Sequence, residues 1–196
     1  MLQHLKRMER ENEILSSLNR LGIATRKQLQ VMNNLGGERN ANRILANMEK
    51  DGTVKSIRMD QKIYYNPEKG KKENKGQMLH KLMRNDLYIH LGTPSDWRIE
   101  QSVEFEMSGE VITLVPDATF RRNAEFHFVE IDNKQSMKTN KDKIDKYHYL
   151  SKLIFQQYNH TPTVIWYTAI NRRKEDLQGY CEKKGVKNIL YGLGEI

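Results

Sequence analysis

Between Pro67 and Gly76 the chain reads PEKGKKENKG, ten residues without one apolar side chain. A hydrophobic core cannot be threaded through such a stretch. It predicts a charged, solvated linker over 67–76 that divides the chain into two folding units, 1–66 and 77–196. Charge divides at the same place. Residues 1–76 hold 16 Lys and Arg against 9 Asp and Glu, whereas the remaining 120 hold 17 against 16. A basic module joined to a nearly neutral one points to a polyanion as the partner of the first. A merely solubilising surface is the plain alternative.

Several classes fall away. No apolar run approaches the roughly 18–20 residues of a membrane span. The opening MLQHLKRMER lacks the apolar stretch of a signal peptide, which predicts a cytoplasmic protein. One cysteine, Cys181, allows neither an internal disulfide nor a thiolate-rich zinc site. The histidines show no HExxH spacing, and neither GxxxxGK[ST] nor GxSxG occurs.

The first unit reads as three helices and a two-stranded hairpin. Ile14, Leu15, Leu18 and Leu21 form a helical stripe that stops at Gly22. Thr25 is a natural N-cap for a second helix over 26–33, and the pair Gly36-Gly37 breaks the chain before a third over 38–50. Two short β-like runs follow, 53–58 and 62–66. In a helix-turn-helix arrangement the third helix would enter the major groove. Its solvent face should carry Arg39, Asn40, Asn42, Arg43 and Asn47. Arg pairs with guanine and Asn with adenine, so these are the candidate base readers. Lys55, Arg58 and Lys62 on the hairpin are candidate phosphate contacts. An ordinary helical cap with solvated polar faces would show the same periodicity. The apolar residues Met1, Leu2, Leu5 and Met8 suggest a dimerisation arm and hence a homodimer.

After residue 77 the pattern becomes helix, three strands, helix, strand, helix, strand. The helices are expected over 77–91, 140–158 and 172–184, and the strands over 97–105, 111–120, 125–132, 162–169 and 188–191. This describes a mixed sheet covered by helices. His80 and Asn85 fall on the helix expected to flank that sheet.

Carboxylates carry the chemistry of this half. Glu130 and Asp132 share one face of a strand, and a neighbouring strand can set Asp117 beside them. Such a cluster holds Mg²⁺ through oxygen ligands and serves phosphodiester hydrolysis. Asp117, Glu130 and Asp132 are thus candidate metal ligands and, with Lys134, candidate catalytic residues of a Mg²⁺-dependent endonuclease. Paired instead with Arg121, Arg122 or Lys134 at the surface, the same carboxylates would contribute little.

With Pro116-Asp117 on one strand and Glu130 on the next, this order resembles the PD-(D/E)xK nuclease superfamily. Asp132 stands where that motif has lysine. A third carboxylate there repels phosphate unless a cation compensates, and Lys134, Lys143 and Lys146 are the candidate substitutes. VPDATF, FHFVEIDN and KIDKYHYL, preceded by the helix-turn-helix segment, are together similar to the replication-relaxation family of plasmids and mobile elements, where E-x-D in place of E-x-K is usual. The resemblance extends from about Glu9 to Ala169.

What it implies is an α+β or α/β chain, an N-terminal winged helix-turn-helix domain followed by a PD-(D/E)xK nuclease-like mixed-sheet domain. The implied function is binding of double-stranded DNA in plasmid or mobile-element replication, DNA relaxation or mobilisation, beside other replication or transfer proteins. Cutting is not implied by the resemblance, and Asp132 at the lysine position favours a nuclease-like domain that binds without cutting. The alternatives are the metal-dependent endonuclease and a transcriptional regulator whose C-terminal domain dimerises.

Overall fold

The computed structural model describes residues 2–68 and 73–196. Met1 of the expected arm and residues 69–72 of the expected linker lie outside the described residues. The chain is a mixed α+β protein in two compact units, Met1–Ile89 and His90–Ile196.

The first unit begins with α1 (Leu2–Leu21), longer than the apolar stripe alone requires. Ile14 and Leu18 of its C-terminal half are fully buried, while Leu5 and Met8 near its start are exposed. Gly22 ends the helix at φ +84°, a left-handed backbone that glycine adopts without a Cβ clash. A strand absent from the sequence reading follows, β1 (Ile23–Thr25); three residues are too few to display an alternation. Thr25 then caps α2 (Arg26–Met32) in a capping box: its hydroxyl accepts from Gln28 N, and the Gln28 side chain accepts from Thr25 N.

Next come α3 (Glu38–Lys50) and the hairpin of β2 (Lys55–Arg58) and β3 (Lys62–Tyr65). β3 pairs antiparallel with both β1 and β2, so the sheet order is β1-β3-β2. Leu29, Leu35, Ala41, Ile44, Leu45, Met48 and Val54 meet Ile14 and Leu18 in the core. Each fully buried Leu or Ile contributes about 2 kcal/mol relative to an exposed one.

The boundary between the units is not where the apolar-free stretch suggested. α4 (Lys75–His90) starts inside that stretch and packs on the first unit. Met78 and Leu82 form a second cluster with Ile23 and Ile63. The Asn85 amide donates to Ile23 O at 2.6 Å, so Asn85 braces the first unit instead of flanking the larger sheet. Gln28 Nε2 donates to Leu82 O at 2.9 Å and Asp86 Oδ1 at 2.7 Å. Arg84, only 1% exposed, donates to Leu21 O. The described residues of the expected linker, 67–68 and 73–76, therefore belong to the first unit.

In the second unit two expected strands are each split. The run 97–105 becomes β4 (Arg98–Ile99) and β5 (Val103–Met107), broken where Glu100 takes φ +51°. The run 111–120 becomes β6 (Glu110–Leu114) and β7 (Ala118–Arg122), broken at Pro116, which has no N–H for a ladder. β5 and β6 form a separate hairpin. β8 (Glu125–Asp132), α5 (Met137–Tyr158), β9 (Thr163–Thr168), α6 (Arg172–Lys184) and β10 (Asn188–Gly192) complete the unit.

The main sheet runs β10-β9-β8-β7-β4. β8, β9 and β10 are parallel, and β7 and β4 join antiparallel. Every residue of β9 is buried, as its continuous apolar run requires of a central strand. Phe128, Ile144, Tyr147, Leu150, Val164, Trp166, Leu177 and Cys181 form one core, which places α5 and α6 on the same face of the sheet.

Candidate functional site

Two sets of residues carry chemistry, one in each unit. On α3, Ala41, Ile44, Leu45 and Met48 face the core, and Arg39, Asn42, Arg43 and Asn47 lie exposed on the opposite side. That is the solvent stripe expected from the 3.6-residue period, with Ala46 and Lys50 also on it. Asn40 is engaged differently. Its amide nitrogen donates to Leu35 O at 2.8 Å and its oxygen accepts from Arg43 at 2.8 Å, so it braces the turn before the helix. On the hairpin, Lys55 and Arg58 are exposed. Lys62 forms an ion pair with Glu49 of α3 at 2.8 Å, and that hydrogen bond with the one from Ser56 holds the Glu49 carboxyl below its usual range. Lys62 therefore ties the hairpin to α3.

In the second unit, antiparallel pairing sets Ala118 opposite Val129, which continues to Asp117 opposite Glu130. Asp117, Glu130 and Asp132 thus occupy one face of the sheet, as period-two alternation predicts. Each has its own partners. Asp117 Oδ2 accepts from Ile131 N at 2.7 Å. Glu130, 1% exposed, is held by the Lys143 ammonium at Oε2 and by the Tyr147 hydroxyl at Oε1, 2.7 Å away. Burial pushes its carboxyl up to about 7; Lys143 opposes the rise and Asp117 adds to it. Asp132, fully buried, accepts from Thr168 Oγ1 at 2.9 Å and from Arg173 at 3.0 Å, and the same guanidinium nitrogen also donates to Gln135 O.

The metal assignment does not survive this geometry. Both oxygens of Glu130 and both of Asp132 are committed to cations and hydroxyls supplied by α5, β9 and α6. Among the described residues no group of three or more His, Cys, Asp or Glu side chains could hold a metal ion. Mg²⁺ would have to displace Lys143 and Arg173 to enter. Lys134 lies exposed beyond the end of β8, and it is Lys143 that reaches Glu130. Tyr147, Thr168 and Arg173 were not foreseen as partners. The register Asp132↔Thr168 is the signal that finds the second, once β8 and β9 are known to be parallel neighbours.

The family described as replication-relaxation matches residues 64–165. No curated protein matches the sequence. A solved structure, protein VC1899 from Vibrio cholerae, is similar at 15% identity and a TM-score of 0.39, over 78% of this chain and 39% of that one. A likeness of that size carries no argument about fold or function.

Proposed function

Since the chain belongs to the replication-relaxation family, we propose that it is a DNA-binding protein acting in plasmid or mobile-element replication, relaxation or mobilisation. The first unit is read as a winged helix that lays α3 in the major groove. The observation that carries this is the exposed stripe Arg39, Asn42, Arg43 and Asn47, opposite the buried Ala41, Ile44, Leu45 and Met48. These are residue types that pair with base edges, presented on a helix whose other side is fixed by the core. Lys55 and Arg58 on the hairpin supply contacts to flanking phosphates.

The second unit is read as a nuclease-like scaffold that binds without cutting. Asp132 at the lysine position of the motif is neutralised by Arg173, and Glu130 is closed off by Lys143 and Tyr147. Each oxygen of the two carboxylates already accepts from a cation or a hydroxyl, so a metal ion would have to compete with Lys143 and Arg173 for them.

The test is binding of the full chain to duplex fragments of its own replicon, measured over a range of salt. Affinity should fall steeply as salt rises, and Arg43→Ala should weaken binding by about 1–3 kcal/mol where Arg43 reads a guanine. Binding indifferent to salt and to Arg39→Ala and Arg43→Ala overturns the assignment of α3.

A further inference from the structure

In the second unit, pairing aligns Arg98 with Thr119 and Thr119 with Phe128, and in the next row Arg121 with Phe126. Directly opposed residues share a face, and this is the face on which α5 packs through Phe128. Between α5, the β5–β6 hairpin and these rows lies a cavity of about 520 Å³. Phe105 and Phe128 in its wall are buried, Tyr158 is half exposed and Arg121 is exposed. The Arg121 guanidinium stands 4.4 Å from the centre of the Phe126 ring. Phe126 is also stacked by His160 at 5.3 Å and met edge-on by Tyr158 at 5.3 Å.

We propose that this cavity receives an unpaired nucleobase from a single DNA strand. Its volume falls within the usual range of small-ligand sites, ample for one nucleotide. Within the lining, the Phe126 and Tyr158 rings and the Arg121 guanidinium make a surface on which a further flat, π-bearing ring adds favourably whatever its sequence identity. Arg98 and Arg121 offer positive charge to the adjoining phosphates, and the Gln101 and Gln157 amides in the lining offer both donors and acceptors to a base edge.

Two acidic residues also line the cavity, Asp96, which accepts from Arg121 N at 2.9 Å, and Glu104 of β5. They balance the charges of Arg98 and Arg121, so stacking and not net charge carries the affinity. A duplex reaches the cavity only by flipping out a base, which costs a few kcal/mol of unstacking and unpairing, so a single strand is favoured. The proposal rests on the reading of the chain as a DNA-binding protein, though on none of the α3 residues.

The experiment uses the full chain and fluorescence anisotropy with two probes, a labelled oligothymidine of about 15 nucleotides and a blunt duplex. Tyr158→Ala and Arg121→Ala should each weaken oligothymidine binding about tenfold and leave duplex binding within about twofold. Both side chains are exposed enough for the fold to tolerate their loss. Arg121→Lys keeps the charge without the plane and should weaken oligothymidine as Arg121→Ala does.

Failure of the wild type to bind oligothymidine overturns the proposal. So does an equal loss on both probes, or full recovery with Arg121→Lys, since either leaves a general polyanion surface. The α3 assignment fails separately, through duplex binding that Arg39→Ala and Arg43→Ala leave unchanged.

Discussion

Glu130 shows how far one buried carboxyl can be pushed by its surroundings. Burial raises it to about 7 against an ordinary 4.5, with Lys143 pulling the other way. Between pH 4.5 and 7 the folded chain therefore holds a proton that the unfolded chain has released. Stability from this group is largest below pH 4.5, falls as the pH rises through that window, and levels above about 7. Glu130→Gln keeps the shape and cannot ionise, so the fall should vanish in the variant. Urea midpoints measured at steps across the window check this, and wild-type and variant curves that run parallel would contradict it. Period-two alternation was enough to put Asp117, Glu130 and Asp132 on one face. Lys143 was legible as a cation on the following helix, whereas Tyr147 and Arg173 were not, lying 17 residues from Glu130 and 41 from Asp132. Only the packing of α5 and α6 brings those distances to a hydrogen bond.

Among the elements, α4 changes the picture most. Its apolar spacing announced a helix, but amphipathicity says only that one face is covered, not by which unit. The structure answers with Met78 and Leu82 against Ile23 and Ile63, and with the Gln28, Arg84 and Asn85 side chains bonded across the same contact. A chain ended at residue 90 should melt cooperatively. One ended at residue 76 exposes Ile23 and Ile63 and forgoes about 2 kcal/mol for each large apolar side chain it lacks. Thermal unfolding followed by circular dichroism distinguishes the two, and equal melting of both pieces would show α4 to be dispensable. The split strands are a second lesson. Alternation survived across residues 97–105 and 111–120 because side chains on both sides of each break still alternate. Glu100 at positive φ cannot be seen in a pattern of residue types, whereas Pro116 is a visible sign of the second break.

For the whole molecule, the excess of Lys and Arg lies in residues 1–76, and the match over residues 64–165 places the chain in the replication-relaxation family. The order of helices and strands was legible at nearly every element. The union of α4 with the first unit was not, since composition marks where a core cannot be but not where the next segment docks. Among the described residues no helix is long and apolar enough to cross a membrane. Supercoiled plasmid incubated with the full chain and Mg²⁺ or Mn²⁺ should remain supercoiled on an agarose gel. Nicking that Asp117→Ala abolishes would instead make the second unit a working nuclease.

The Asp132–Arg173 contact has a further consequence. Arg173 also donates to Gln135 O, so two groups depend on one guanidinium whose own charge is matched by a single buried carboxylate. Changing Asp132→Lys would recreate the motif's lysine only by forcing two cations together out of water, at a cost of about 3–5 kcal/mol. Denaturation of that variant should show the loss, and adding Arg173→Glu should recover much of it. Asp132 and Arg173 thus behave as one unit, in which changing either alone leaves the other charge without its partner.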